Sequence, residues 1–182
     1  FKTYWLIEYE DQLFIMDQHA AHEKVNYEKL MKSFREKKIY SQGVEPPYVV
    51  TLSMAEAKVL DETKDVFKEL GFTIEAFGGN EFCIRQVPAN LYGLKEKELF
   101  MELLDSLTED GVKKDPEMIT DKIASMACKM SAKGNQRMSL PEVKHLLDLL
   151  MECENPYTCP HGRPTMIKMS KYEIEKKFKR IV

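Results

Sequence analysis

Apolar runs broken by short polar stretches open the chain, with Tyr4, Trp5 and Leu6 in succession apolar on both faces of a strand. Thr3 to Tyr9 and Leu13 to Asp17 are β-rich runs, and the polar Glu10-Asp11 between them predicts a hairpin. The period then lengthens. Tyr27, Leu30, Met31 and Phe34 fall at i, i+3, i+4 and i+7, the stripe of an amphipathic helix that starts near Gln18 and fades by Lys37. Ser41 to Pro47 carries one Gly and two Pro, so it reads as a loop or extended linker and as the first lobe boundary.

A second unit of pattern follows. Tyr48 to Leu52 reads as a strand, and Ser53 as the N-cap of a helix over Met54 to Leu70 that Gly71 ends. Phe72 to Phe77 and Glu81 to Val87 read as strands joined by Gly78-Gly79-Asn80, which completes a β-α-β-β unit. Leu94 to Leu107, Asp115 to Lys133 and Ser139 to Cys153 read as helices, the last with a capping box from Ser139 and Glu142. Cys159 to Pro164 reads as a loop, Thr165 to Met169 as a strand, and Lys171 to Phe178 as a terminal helix. The pattern implies an α+β fold of two lobes, one built from both chain ends (1–46 and 127–182) around an inserted lobe (47–126).

The 182 residues, 43% hydrophobic, suffice for a sizeable core. Because 27 basic side chains face 30 acidic ones, for a net charge of −3, no overall positive field draws the chain to a phosphate backbone. Lys168, Lys171, Lys176, Lys177, Lys179 and Arg180 nevertheless give the tail a local basic character. The chain opens at Phe1 inside a strand-like run, with no initiator Met, signal peptide or membrane-length apolar stretch, and reads as a piece of a longer cytoplasmic protein. Four cysteines with no C-x-x-C pair agree with a reducing compartment and with a thiolate ligand role.

Two segments carry chemistry. Asp17 to Glu28 reads D-Q-H-A-A-H-E-K-V-N-Y-E at a strand-to-helix junction and offers Asp17, His19, Glu23 and Glu28 as candidate metal ligands. His19 and Glu23 are i, i+4 neighbours, and Glu23 lies about 40° from Tyr27, inside the apolar stripe. A buried carboxylate there requires a partner, which a metal ion would supply. The competing reading makes Asp17 and Gln18 helix caps, His19 a satisfied core histidine, and Glu23 the partner of a Lys. His22 points to the far side and is left out of the site. In the second segment, C-P-H-G-R-P, Cys159 and His161 lie two apart and project to one side of an extended stretch, a weak zinc pair by itself.

Together these segments resemble a known family. The first matches the D-Q-H-A-x-x-E-x-x-x-x-E signature of the nicking endonucleases among bacterial MutL-type mismatch-repair proteins. The family's A-C-R, C-P-H-G-R-P and F-x-R motifs correspond in order to Ala127-Cys128-Lys129, Cys159 to Pro164 and Phe178-Lys179-Arg180, with Lys129 where the family has Arg. The resemblance implies the C-terminal dimerisation and endonuclease domain. It implies that Asp17, His19, Glu23, Cys128, Cys159 and His161 converge on one or two divalent ions. Zinc is implied for the Cys/His side and manganese for turnover, with Asp17, His19 and Glu23 catalytic. Gln18, Glu28 and Arg163 are supporting residues; Glu28 sits about 140° around the helix from Glu23.

The implied partners are a second copy of the chain, DNA, a sliding clamp and, through the full-length protein, a mismatch-recognition protein. No membrane is implied, and no ATP site in this part of the protein. The clamp would engage a Q-x-x-L/I-x-P-like segment at Gln42, Val44 and Pro47, where Glu45 replaces the aliphatic anchor. The alternative is a catalytically silent dimerisation module with a structural zinc site.

Overall fold

A computed structural model describes residues 3–89, 96–109, 116–131 and 138–181. It is a mixed α+β fold in two compact units, residues 1–28 with 132–182, and residues 29–131. The expected helix ends at Leu94, Asp115 and Lys133 lie outside the described residues.

In the first unit, β1 (Tyr4–Tyr9), β2 (Gln12–Asp17) and β6 (Met166–Ser170) form an antiparallel sheet in the order β1-β2-β6. Helix α1 (Gln18–Arg35) leaves β2 directly. Alternation along the strands sends Trp5, Ile7 and Met16 to one face, where they pack with Ala21 and Val25 of α1 and with Val143, Leu146 and Leu150. The last three occupy i, i+3 and i+7 of α5 (Leu140–Met151), the helical counterpart of the strands' alternation. The other face pairs Leu6 with Ile15 and Ile15 with Ile167 across the three strands, with Tyr4 beside them. Leu6 is 60% exposed and Ile167 52% exposed.

In the second unit, β3 (Ser41–Thr51), β4 (Thr73–Gly78) and β5 (Glu81–Pro88) form a sheet in the order β3-β5-β4. Helices α2 (Met54–Glu69), α3 (Glu96–Glu109) and α4 (Pro116–Ser131) accompany it. Phe67, Phe72 and Phe100 meet with ring centroids 5.4 to 5.9 Å apart. Ser53 and Glu56 form a reciprocal capping box at the start of α2. At its end Gly71 adopts φ +90, and a Cβ there would lie 2.9 Å from the Ile39 side chain.

The expected loop over Ser41 to Pro47 is a correction. These residues begin strand β3, because Ser41, Gln42 and Gly43 pair with Pro88, Val87 and Gln86 of β5. Register then breaks between Gly43 and Tyr48, which places the two prolines in the irregular stretch of an edge strand. α6 (Lys171–Lys177) closes the chain behind a capping box of Ser170 and Glu173.

Candidate metal centre

The site is built where β2 turns into α1. Asp17 is the N-cap residue: its Oδ1 accepts the backbone N–H groups of His19 at 2.9 Å and Ala20 at 3.2 Å. Asp17 also donates its own N–H to the carbonyl of Thr165 at 2.9 Å. That bond joins the start of α1 to the segment that follows Cys159 to Pro164. The two chemically suggestive stretches, more than 130 residues apart in sequence, therefore share one corner of the first unit.

Cys159 to Pro164 is a tight turn, which corrects the extended geometry expected from the spacing. Thr158 and Pro164 form a bridge, Cys159 donates its N–H to Arg163, and Gly162 donates its N–H to the Cys159 carbonyl. Gly162 takes φ +77, a conformation that L side chains rarely adopt. The turn folds Cys159 and His161 back toward α1.

Glu23 is fully buried, as its place in the stripe of α1 requires. Three cationic or imidazole groups surround its carboxylate. Arg163 donates from Nη2 to both oxygens, at 2.8 and 2.7 Å. The His161 Nδ1 lies 3.3 Å from Oε2, and the His19 Nε2 lies 3.2 Å from Oε1. The partner is thus an arginine and two histidines, where the ligand-independent sequence reading had a lysine. A buried carboxylate is tolerated only with such company.

Among the described residues, Glu23, Cys159 and His161 each present a ligand atom within 4.8 Å of the other two. Tetrahedral zinc sets its ligand atoms roughly 3.5 Å apart, so small side-chain rotations would close the trio on one ion. One carboxylate, one thiol and one imidazole form a donor set that zinc accepts. His19, beside Glu23, is a fourth donor and the second imidazole at the same carboxylate. The chemistry of the donors fits a divalent ion.

Arg163 is held charged above the ordinary arginine range: burial opposes its charge, and the Glu23 carboxylate and Cys159 sulfur outweigh that. Glu28 lies outside the trio. Burial disfavours its charge, but the Lys24 ammonium and the N–H groups of Glu154 and Asn155 bring its carboxyl below the usual range. Gln18 is buried and accepts from the Trp5 indole at 3.4 Å.

Cys128 is a buried residue of α4, in the second unit. The side chain of Lys129 lies outside the described residues. His22, left out of the site, has its Nε2 3.4 Å from the Met138 sulfur. Of the residues expected to engage a clamp, Gln42 is exposed on edge strand β3 and approaches Glu96 at 3.4 Å. Val44 and Pro47 are half-buried and line a cavity of about 460 Å³ with Glu45, Thr73 and Arg85.

Comparison with known proteins decides the family. The model of the MutL C-terminal dimerisation domain matches residues 1–138. The chain belongs to that family. It is 52% identical over 182 residues to the DNA mismatch repair protein MutL of Agathobacter rectalis, covering 100% of the chain and 28% of the relative. Over 181 residues it is 45% identical to the MutL protein of Clostridium botulinum and 41% identical to that of Clostridium beijerinckii, in each case covering 100% of the chain and 27% of the relative. The chain thus spans little more than a quarter of the length of these MutL proteins, so three quarters of each has no counterpart here. The family match ends before the Cys159 to Pro164 turn, whereas the relatives align through it.

Proposed function

We propose that the chain is the dimerising, metal-binding part of a DNA mismatch-repair protein, and that it nicks duplex DNA. The observation that carries this reading is the convergence of Glu23, Cys159 and His161 around one buried carboxylate. A bound divalent ion would polarise a phosphodiester and lower the pKa of an attacking water. Glu23, Cys159 and His161 would hold it, His19 would complete the donor set, and Asp17 would fix the first turn of α1 that carries His19 and Glu23. Sulfur and imidazole favour zinc at these donors; the family resemblance attaches manganese to turnover. Cys128 is the further sulfur that the resemblance enlists.

The uncovered apolar sheet face of Leu6, Ile15 and Ile167 favours a second copy of the chain as partner, since the family is one of dimerisation domains. The basic tail supports contact with DNA, and exposed Gln42 beside the cavity at Val44 and Pro47 supports clamp docking. The mismatch-recognition protein would be reached through the rest of the full-length protein. No described helix is long and apolar enough to cross a membrane; the cytoplasmic place of action rests on the family resemblance.

A structural zinc site in a catalytically silent dimerisation module is the second reading. Two contacts favour it: Arg163 takes both oxygens of Glu23, and Asp17 caps a helix. Nicking of supercoiled plasmid in manganese with a matched sliding clamp separates the two. The nuclease reading requires nicking that disappears in Asp17→Asn and Glu23→Lys; nicking that persists equally in both variants does not come from this site, and either that result or no nicking by any of the three, clamp included, favours the silent module.

A further inference from the structure

Arg163 is the group at the metal centre whose placement serves no ligand role. A guanidinium cannot bind a cation, yet this one sits on the carboxylate of Glu23 at 2.7 and 2.8 Å and also hydrogen-bonds Cys159. It therefore faces two of the three donors of the trio. Its own side chain is 50% exposed, while the carboxylate it meets is 0% exposed.

We propose that Arg163 is a built-in counter-ion that competes with the metal for Glu23, keeping the metal-free site folded and setting how tightly a divalent ion binds. The inference rests on the metal-site reading given above. A buried carboxylate without a cation is costly. Arg163 supplies that cation from the same turn that carries Cys159 and His161, so the turn stays docked on α1 before any ion arrives. An incoming ion needs a lone pair of Glu23 that the guanidinium occupies. It also meets a fixed positive charge a few ångströms away, where attraction and repulsion are poorly screened.

Binding must then proceed with Arg163 leaving at least one Glu23 oxygen. The guanidinium has somewhere to go, because the Arg163 side chain is already half exposed to water. Arginine suits this: one terminal nitrogen, Nη2, reaches both oxygens, and its charge does not titrate. A group of purely structural value would behave differently, since its removal would weaken the fold and metal binding together. A competitor has opposite signs on the two quantities.

The test is a chelator-competition titration of zinc into the whole chain, with thermal unfolding measured in EDTA and in zinc, for the wild type, Arg163→Gln and Arg163→Lys. Arg163→Gln is expected to unfold at a lower temperature in EDTA and to bind zinc at least about tenfold more tightly than the wild type, about 1.4 kcal/mol. Arg163→Lys, which keeps the charge on a shorter, more strongly hydrated group, is expected to fall between them. Zinc affinity in Arg163→Gln equal to or below the wild-type value overturns the inference. If Arg163→Gln does not fold even in zinc, Arg163→Lys decides by the same rule: tighter binding supports the competitor, equal or weaker binding removes it. A wild-type chain that binds no zinc fails the metal-site reading itself, a result distinct from either.

Discussion

The carboxylate of Glu28 accepts the backbone N–H of Glu154 at 2.9 Å, across 126 residues of sequence, while its other oxygen holds Lys24 Nζ at 2.7 Å. The pair ties the middle of α1 to the chain that leaves α5 and leads into the Cys159 turn. Because the folded carboxyl is held below its ordinary value near 4.5, it contributes stability that is full above that value and is lost as pH falls through the lowered one. Glu28→Gln should lower stability by about 1 to 3 kcal/mol at neutral pH, since it leaves the Lys24 ammonium, 8% exposed, without its carboxylate. Urea midpoints of the two proteins should converge as the solution is acidified below pH 4; a gap constant with pH would show that the charge of Glu28 is irrelevant.

An apolar sheet face open to water predicts self-association. Leu6 and Ile167 are each half or more exposed and flank Ile15. Leu6→Arg sets a charge in the middle of that face and should convert a dimer to a folded monomer. Sedimentation velocity reads the mass, and far-ultraviolet circular dichroism reads the fold; a dimer that survives the substitution moves the interface elsewhere.

The core of the first unit is concentrated in few side chains, so its deletion should be severe. Leu150 is fully buried on α5 against Met16 and Val25. Leu150→Ala should cost about 2 to 5 kcal/mol by lost transfer energy plus cavity. Denaturant unfolding measures it, and a cost under 1 kcal/mol would show that the site collapses around the smaller residue.

In the second unit Ser53 accepts the N–H of Glu56 at 3.2 Å, and Glu56 returns the contact to the Ser53 N–H. Ser53→Ala should cost about 1 kcal/mol. The same unfolding experiment checks it, with Ser53→Asp expected to restore the cap.

Much of this was legible in the sequence for a physical reason. The Ser53 N-cap, the Ser139–Glu142 capping box, the Gly71 stop and the Gly78-Gly79-Asn80 turn are local signals, and the structure contains each of them. The buried position of Glu23 followed from helical period alone. The second half of β3 was read as a strand at Tyr48 to Leu52, but its first half was hidden because the two prolines mimic a linker, and pairing with β5 is a long-range property that no local pattern contains. Tyr27 and Phe34, two of the four stripe residues, are half-buried in the chain, while Lys24 and Val25 are buried. Period locates a face but not the depth of what covers it. The contact of Arg163 Nη2 with Glu23 was invisible for the same reason: it joins residues 140 apart, and only the fold of the Cys159 turn brings them together.

Zinc-edge X-ray absorption on the zinc-loaded chain tests most directly whether Glu23, Cys159 and His161 form a metal centre. The expected spectrum has sulfur at about 2.3 Å with nitrogen or oxygen at about 2.0 to 2.2 Å, loses a sulfur in Cys159→Ser and loses imidazole scattering in His161→Ala. Cys128→Ser, measured beside them, decides whether the second thiol also binds. A spectrum without sulfur, or one unchanged in Cys159→Ser and His161→Ala, contradicts the proposed centre.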